Sequence, residues 1–220
     1  MDTKVAILER KSVRAFTEDA VPDNVLKSII DLALCAPSWG NTQPWEIYVV
    51  TGERLRTLKK RFAENFNQEV PIDPDLPIPS TWPDACEKRY KMLGKSLFDH
   101  LGIGRDDAVA RKTHYLKMFE GFGAPVFVYV CLDKRLSAYS MLDAGIFIQT
   151  LCLAALEEGL GSCILTHLIL YASALREELA IPDTSNIVMG VALGYEDPAA
   201  RINSFRSERE SQPLFVKWIS

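Results

Sequence analysis

Two short segments, residues 10–14 (RKSVR) and residues 36–45 (APSWGNTQPW), are the most informative parts of this sequence. The first, here called the basic segment, places three cations and a hydroxyl within five residues. In an extended backbone, Arg10, Ser12 and Arg14 would point to the same side. Guanidinium groups bind phosphate oxygens through paired hydrogen bonds, so we interpret this segment as a candidate phosphate site. A solvated basic turn is the alternative for so short a cluster.

The second segment, here called the tryptophan turn, lies between a helical pattern and a predicted strand. Its Pro, Ser, Gly and Asn residues are typical of turns, and tryptophan often fills a core. However, Trp39 stands at the predicted apex, where an indole contributes little to packing. Asn41 and Gln43 offer both hydrogen-bond donors and acceptors. We therefore favour a surface that lies against a flat aromatic ligand.

The composition is that of an average globular protein of one domain. The chain has 220 residues, 48% hydrophobic residues and a formal net charge of −4. This acidic balance argues against nucleic acid or an anionic membrane as partner. We find no apolar run of membrane-spanning length and no signal peptide, so we expect a cytoplasmic protein. The five cysteines lack metal-binding spacing and are expected to be mostly buried, reduced thiols.

Periodicity predicts mixed α and β structure with helices dominating. Continuous apolar runs predict buried strands, and apolar residues at helical spacing predict helices. A run with five prolines, residues 67–83, excludes regular structure and is typical of a lid, a binding loop or a subunit-crossing arm. The near-unbroken apolar surface of the helix at 137–158 suggests a central helix shared with a second subunit. The predicted strands are 46–51, 124–132, 162–165 and 187–193, and the predicted helices carry stripes at Val25, Ile29, Leu32, Ala33 and Ala36, at Leu55, Leu58, Phe62 and Phe66, and at Leu93, Leu97 and Leu101.

Several other kinds of site are disfavoured. The two GxG fragments, at 102–104 and 121–123, lack the third glycine of a dinucleotide fingerprint, and there is no P-loop motif. The three histidines lack metal-ligand spacing, so we expect no metal. No Ser or Cys lies in a nucleophile elbow. We interpret Asp143 as a charge favoured by the dipole at a helix start, in preference to a catalytic acid. This pattern fits a protein whose cofactor carries the chemistry.

The order and spacing of the motifs resemble those of the FMN-dependent nitroreductase family, in particular nitroreductases similar to nitrobenzoate reductase. Nearly the whole chain takes part in the resemblance. It implies one FMN-binding domain over residues 1–220 with an α+β, three-layer sandwich fold, in which a mainly antiparallel central sheet is flanked by helices. It also implies an intertwined homodimer with FMN at the subunit interface. Besides the two opening segments, the motifs are 89–106 (RYKMLGKSLFDHLGIGRD), 122–125 (FGAP), 143–149 (DAGIFIQ), 159–163 (GLGSC), 194–198 (GYEDP) and 203–206 (NSFR).

The resemblance also assigns roles to individual residues. Gln149 would lie near the flavin ring, and the backbone of Gly161 and Ser162 would approach its N5 and O4 edge. No side chain is expected to act as a catalytic residue. The sequence departs from the family pattern at two places. Trp39 is bulkier than the small residue often found there, and residues 164–165 are more apolar than the polar pair expected after Cys163. The FMN phosphate and ribityl chain would be held by Arg10, Lys11, Ser12, Arg14, Arg206 and Arg209, and the partner subunit would contribute Pro37, Ser38, Trp39 and Asn41.

These assignments imply an NAD(P)H oxidoreductase that reduces small nitroaromatic or quinone-like acceptors by ping-pong hydride transfer through flavin N5. Either NADH or NADPH could be the donor. A reductive dehalogenase or an enoate reductase on the same fold is an alternative. A flavin-binding redox sensor with little turnover is another. The loop at residues 67–83 is expected to decide the acceptor.

Overall fold

A four-stranded antiparallel sheet forms the centre of the computed structural model, which describes all 220 residues. The strands are β1 (Trp45–Val50), β2 (Val126–Asp133), β3 (Gly161–Ile164) and β4 (Ser185–Gly194), in the spatial order β1-β2-β4-β3. All four predicted strands are confirmed to within two residues at each end. Seven helices surround the sheet: α1 (Thr3–Glu9), α2 (Asp23–Leu34), α3 (Gly52–Asn67), α4 (Asp84–Leu101), α5 (Ala108–Phe119), α6 (Tyr139–Glu157) and α7 (Ala172–Leu179).

Strand β2 separates two hydrophobic cores, which explains its continuous apolar sequence. Phe127, Tyr129 and Cys131 face one core together with α3, α5 and α7. Val128 and Val130 face the other core, which is closed by α2 and α6. Since both faces of the sheet are covered, alternating residues of β2 are equally apolar. The predicted α+β sandwich of three layers is confirmed.

Helix α6 is buried on one side and carries large apolar side chains on the other. Its buried side includes Phe147 and Leu151, both fully buried. Its exposed side includes Leu142, at 63% exposure, and Ile146, at 41%. By length and composition alone, this helix is long and apolar enough to cross a membrane, although half of its apolar segment is buried inside the protein. This is weak evidence for a membrane span, because the buried core helix of a globular protein meets the same criteria.

Other details of the helices differ from the sequence prediction. Leu32 and Leu93 lie on the predicted apolar stripes of α2 and α4, yet they are 46% and 41% exposed. On α4, only Phe98 is buried, because little of the chain covers this helix. Helices α5 and α7 were not predicted. Helix α5 is only weakly amphipathic and α7 has eight residues, so neither presents a clear apolar stripe.

The loop between α3 and α4 has no helix or strand, as predicted, but its first half is fixed to the body of the protein. The Asp75 carboxylate forms an ion pair with Arg176 at 2.6 Å and accepts a hydrogen bond from the Ile187 N–H, also at 2.6 Å. Asp73 accepts hydrogen bonds from the N–H and the hydroxyl of Ser173. These contacts hold the loop against α7 and the start of β4. Because a lid has to move, this anchored half of the loop is not suited to that role.

Candidate functional site

The basic segment is extended and lies alongside β3. The Val13 N–H donates to the Ser162 carbonyl at 2.9 Å, and Ser12 pairs with Ser162 in a parallel bridge. This approach requires a glycine at position 161, because a Cβ there would lie 2.6 Å from a methyl carbon of Val13. The structure thus brings together two sets of predicted site residues: the basic segment, and Gly161 with Ser162.

Arg10 and Arg14 have guanidinium groups that the chain itself does not neutralise. Arg10 Nε is buried and has no hydrogen-bond partner. Arg14 donates to the Ser12 carbonyl at 3.2 Å and lies over the Phe205 ring, 6.0 Å from its centre. Neither arginine forms an ion pair with a carboxylate, and a buried donor without an acceptor costs about 1–3 kcal/mol. The pair therefore fits an anion with several oxygens, such as a phosphate.

Lys11 points to a different environment. Its amine pairs with Glu196 at 2.5 Å and donates to the Asn203 carbonyl at 2.7 Å. The Asn203 side chain, which is 2% exposed, accepts from the Arg14 N–H and donates to the carbonyls of Ala15 and Asp197. Sequence reasoning did not identify Asn203 as the residue that holds the basic segment to the C-terminal region. A single asparagine in a turn carries no signal for such a role.

Arg206 and Arg209, the two predicted site residues near the C-terminus, have different surroundings in the structure. Arg206 donates to the carbonyls of Leu8 and Glu9 and pairs with the Glu9 carboxylate at 3.0 Å. It therefore lies at the end of α1, directly before Arg10, with its charge already balanced. Arg209 forms hydrogen bonds only with Ser207 and Glu208. The structure brings Arg206 to the basic segment and gives no contact between Arg209 and that segment.

Two buried thiols lie behind the basic segment. Burial raises the pKa of Cys163 to about 11, although Arg14 and a hydrogen bond with Ser12 oppose this. Burial also raises the pKa of Cys152, which a hydrogen bond with Ser162 and the charge of Arg10 oppose. Both thiols are protonated at neutral pH and have little nucleophilic character. All five cysteines are free, but Cys35 is exposed.

The tryptophan turn contacts α6 and not the basic segment of its own chain. The Trp39 N–H donates to Asp143 Oδ1 at 3.1 Å, and the indole meets the Tyr139 ring edge-to-face, with centroids 4.3 Å apart. Trp39 is 61% exposed, consistent with the predicted apex. Pro37 and Ser38 line the same hollow as Trp39, and Asn41 is exposed. Gln149 lies farther along α6, half-buried, in a second hollow with Ile146 and Thr150.

Two histidines favour the neutral form: His114, a buried residue of α5, and His167, which is half-buried. Burial lowers the pKa of His167 to about 4, with a smaller contribution from His114. Burial also lowers the pKa of His114, helped by the charges of Arg14 and Lys117. The His167 ring packs against Phe119 with centroids 5.1 Å apart. Both rings pack against aromatic side chains, His114 against Phe98 and His167 against Phe119.

His167 predicts acid sensitivity. The unfolded chain binds a proton at this side chain near pH 6.5, while the folded chain resists protonation down to about pH 4. The contribution of neutral His167 to the free energy of unfolding is therefore fully present above pH 6.5 and is lost as the pH decreases toward 4. From pH 7 to pH 5 we expect His167 to account for a loss of about 2 kcal/mol in the free energy of unfolding. Urea unfolding of the wild type and His167→Gln at both pH values measures this. Parallel losses in the two proteins would contradict it.

Comparison with known proteins gives consistent relationships over almost the full length. Residues 7–195 match the model of the nitroreductase family. The chain is 34% identical to a 4-nitrobenzoate reductase of Pseudomonas putida, with 99% of this chain and 96% of that protein covered. The crystal structure of an FMN- and NADPH-dependent nitroreductase, NfnB from Sphigopyxis sp. strain HMH, matches with a TM-score of 0.95, 30% identity and full coverage of both chains. That of the FMN-dependent nitroreductase NfnB from Mycobacterium smegmatis in complex with NADPH matches at 0.94 and 29%, covering 99% and 97%.

Proposed function

Since this chain belongs to the nitroreductase family, we propose that it is an FMN-dependent NAD(P)H oxidoreductase that reduces nitroaromatic or quinone-like acceptors. The observation that carries the proposal is that Arg10 and Arg14, in the segment that pairs with β3 through Ser12, have no carboxylate partner for their guanidinium groups. The relatives described as FMN-dependent nitroreductases support it. Residues 1–220 would form one FMN-binding domain in a cytoplasmic protein.

The residues of the basic segment suit the phosphate end of FMN. Arg10 and Arg14 would neutralise the phosphate, and Ser12 would add a hydroxyl donor. Arg206 would add to the positive potential, though Glu9 already balances its charge. Lys11 and Arg209 belong to the predicted set, but the contacts of Lys11 are with Glu196 and Asn203, and those of Arg209 are with its own turn.

The backbone of Gly161 and Ser162 would lie against the ring edge of the flavin, and Gln149 would approach the ring from α6. When bound, FMN supplies the capacity to accept a hydride from NAD(P)H and pass it to the acceptor. Backbone N–H groups held by a strand are suited to stabilise negative charge on a reduced ring. The two substrates would use the same face of the ring in turn, which is the basis for a ping-pong mechanism.

The exposed apolar surface supports a homodimer. Tyr139, Leu142 and Ile146 of α6 are 57%, 63% and 41% exposed. Trp218 and Ile219, near the chain end, are 84% and 94% exposed. Large apolar surfaces of this kind mark protein–protein interfaces. In the dimer, Pro37, Ser38, Trp39 and Asn41 of one subunit would line the flavin site of the other.

The experiment is an anaerobic assay of the FMN-loaded protein with NADPH or NADH and a panel of acceptors. We expect reduction of a nitroaromatic and a quinone. Double-reciprocal plots of rate against donor concentration, recorded at several fixed acceptor concentrations, should give parallel lines. Light scattering of the same sample should give twice the mass of one chain. If the panel showed turnover only with an activated alkene or a halogenated aromatic, the acceptor assignment would be wrong. If no acceptor were reduced, the enzyme assignment would fail.

A further inference from the structure

A hollow of about 380 Å³ lies between the tryptophan turn and the start of α6. Its lining is mainly apolar and includes Pro37, Leu142 and Ile146. Trp39 and Tyr139, 61% and 57% exposed, stand edge-to-face beside it. An exposed pair of aromatic rings over an apolar hollow is suited to contact a flat ring from outside the chain.

The backbone of the tryptophan turn is unusual. Gly40, Asn41 and Gln43 all have positive φ angles, of 58°, 57° and 46°. For residues other than glycine, this conformation costs energy and needs support from the surrounding structure. Inside the turn, the Gln43 N–H donates to Ser38 Oγ at 2.9 Å. Asp143 is the one residue outside the turn whose side chain forms a hydrogen bond with it.

Asp143 has the features of a dedicated anchor. It is 5% exposed, and its Oδ1 accepts from the Trp39 N–H at 3.1 Å. Its Oδ2 is also buried and has no partner within the chain. The helix-dipole interaction that we expected from the sequence does not explain Asp143, because this residue lies beyond the first turn of α6. The structure instead shows a buried carboxylate that is hydrogen-bonded to a separate segment of the chain.

We propose that Asp143 is a positioning residue: it holds the Trp39 backbone so that the indole stands in one orientation against Tyr139, and it thereby fixes the wall on which the flavin ring of the facing subunit lies. The proposal rests on the proposed function. Because Asp143 is part of a long, half-buried helix, a single hydrogen bond to it can hold the turn against the body of the protein. The orientation of the aromatic wall then depends on a carboxylate of α6 that is itself only 5% exposed.

Two substitutions separate the acceptor role from the charge. Asp143→Ala removes the acceptor, whereas Asp143→Asn keeps an oxygen that can accept from Trp39 and removes the charge. The control is Ser140→Ala on the same helix, since Ser140 is 7% exposed and its hydroxyl forms no hydrogen bond with the turn. Hydrogen exchange of the Trp39 amide, measured by NMR on the protein without FMN, reports on the turn directly. The FMN dissociation constant reports on its consequence.

For Asp143→Ala we expect at least tenfold faster exchange of the Trp39 amide and about tenfold weaker FMN binding. Asp143→Asn should recover most of both effects, and Ser140→Ala should match the wild type. Wild-type exchange and wild-type FMN binding in Asp143→Ala would overturn the proposal. Equal losses in the Ala and Asn variants would assign the effect to the charge of the carboxylate and would overturn its role as a hydrogen-bond acceptor. If the wild type bound no FMN, the proposed function would fail, while the exchange measurement would still test the anchor.

Discussion

Replacing Arg10 by alanine is expected to weaken FMN binding by about 100-fold, which corresponds to about 3 kcal/mol. The Arg10 guanidinium is half-buried, its Nε has no partner, and no carboxylate of the chain balances its charge. A phosphate in contact with it would lose a charge-assisted hydrogen bond on substitution. Fluorescence titration of FMN into the wild type and the variant measures the change.

Riboflavin, which lacks the phosphate, provides the decisive comparison. Arg10→Ala should change riboflavin affinity little, because the proposed partner of Arg10 is the phosphate that riboflavin lacks. Arg56→Ala is the matched control, since Arg56 pairs with Glu53 on the exposed side of α3. Lys11→Ala should weaken FMN less than Arg10→Ala because Glu196 already neutralises Lys11. Equal losses for FMN and riboflavin in Arg10→Ala would place the arginine away from the phosphate.

The second large effect concerns stability. Asp75→Asn is expected to lower the free energy of unfolding by about 3 kcal/mol, because it would leave Arg176 with only the exposed Asp183, 3.7 Å away, as a charged partner. The side chains of Arg176 and Asp75 are 15% and 13% exposed, so solvent compensates little of this loss. In a domain of this size the melting temperature should fall by about 6–12 °C.

Calorimetry of Asp75→Asn beside Glu53→Gln separates a buried pair from an exposed one. Glu53 forms its ion pair with Arg56 on the surface, and such pairs contribute little. The Glu53→Gln variant should therefore melt like the wild type. If Asp75→Asn also melted like the wild type, the loop at residues 67–83 would not depend on this anchor.

The sequence predicted the structure best for helices and strands whose inward-facing residues all lie in a hydrophobic core. Strand β2 is apolar at every position because two cores enclose it, and the pattern alone identified it. Helix α3 has a clean stripe at Leu55, Leu58 and Phe62, all buried. Leu32 was misplaced because an apolar residue at helical spacing can also face outward, and the pattern does not distinguish a core from an interface.

The candidate site was only partly predictable for a different reason. Alternation in an extended segment predicts that Arg10, Ser12 and Arg14 act together, but the pairing of Ser12 with β3 depends on long-range contacts that this pattern does not contain. Local spacing also could not tell that Lys11, between two site residues, is neutralised by Glu196. The hydrogen bond from Trp39 to Asp143 joins two segments whose contact no local pattern encodes.

The most direct test of the central claim is the visible spectrum of the protein after incubation with FMN and desalting, recorded without oxygen before and after NADPH or NADH. We predict that the protein retains a flavin band, that one of the two donors bleaches it, and that a nitroaromatic restores it. A protein that retains no flavin at high concentration would contradict the assignment of the basic segment. A retained band that neither donor bleaches would show a flavin-binding protein that is not the proposed oxidoreductase.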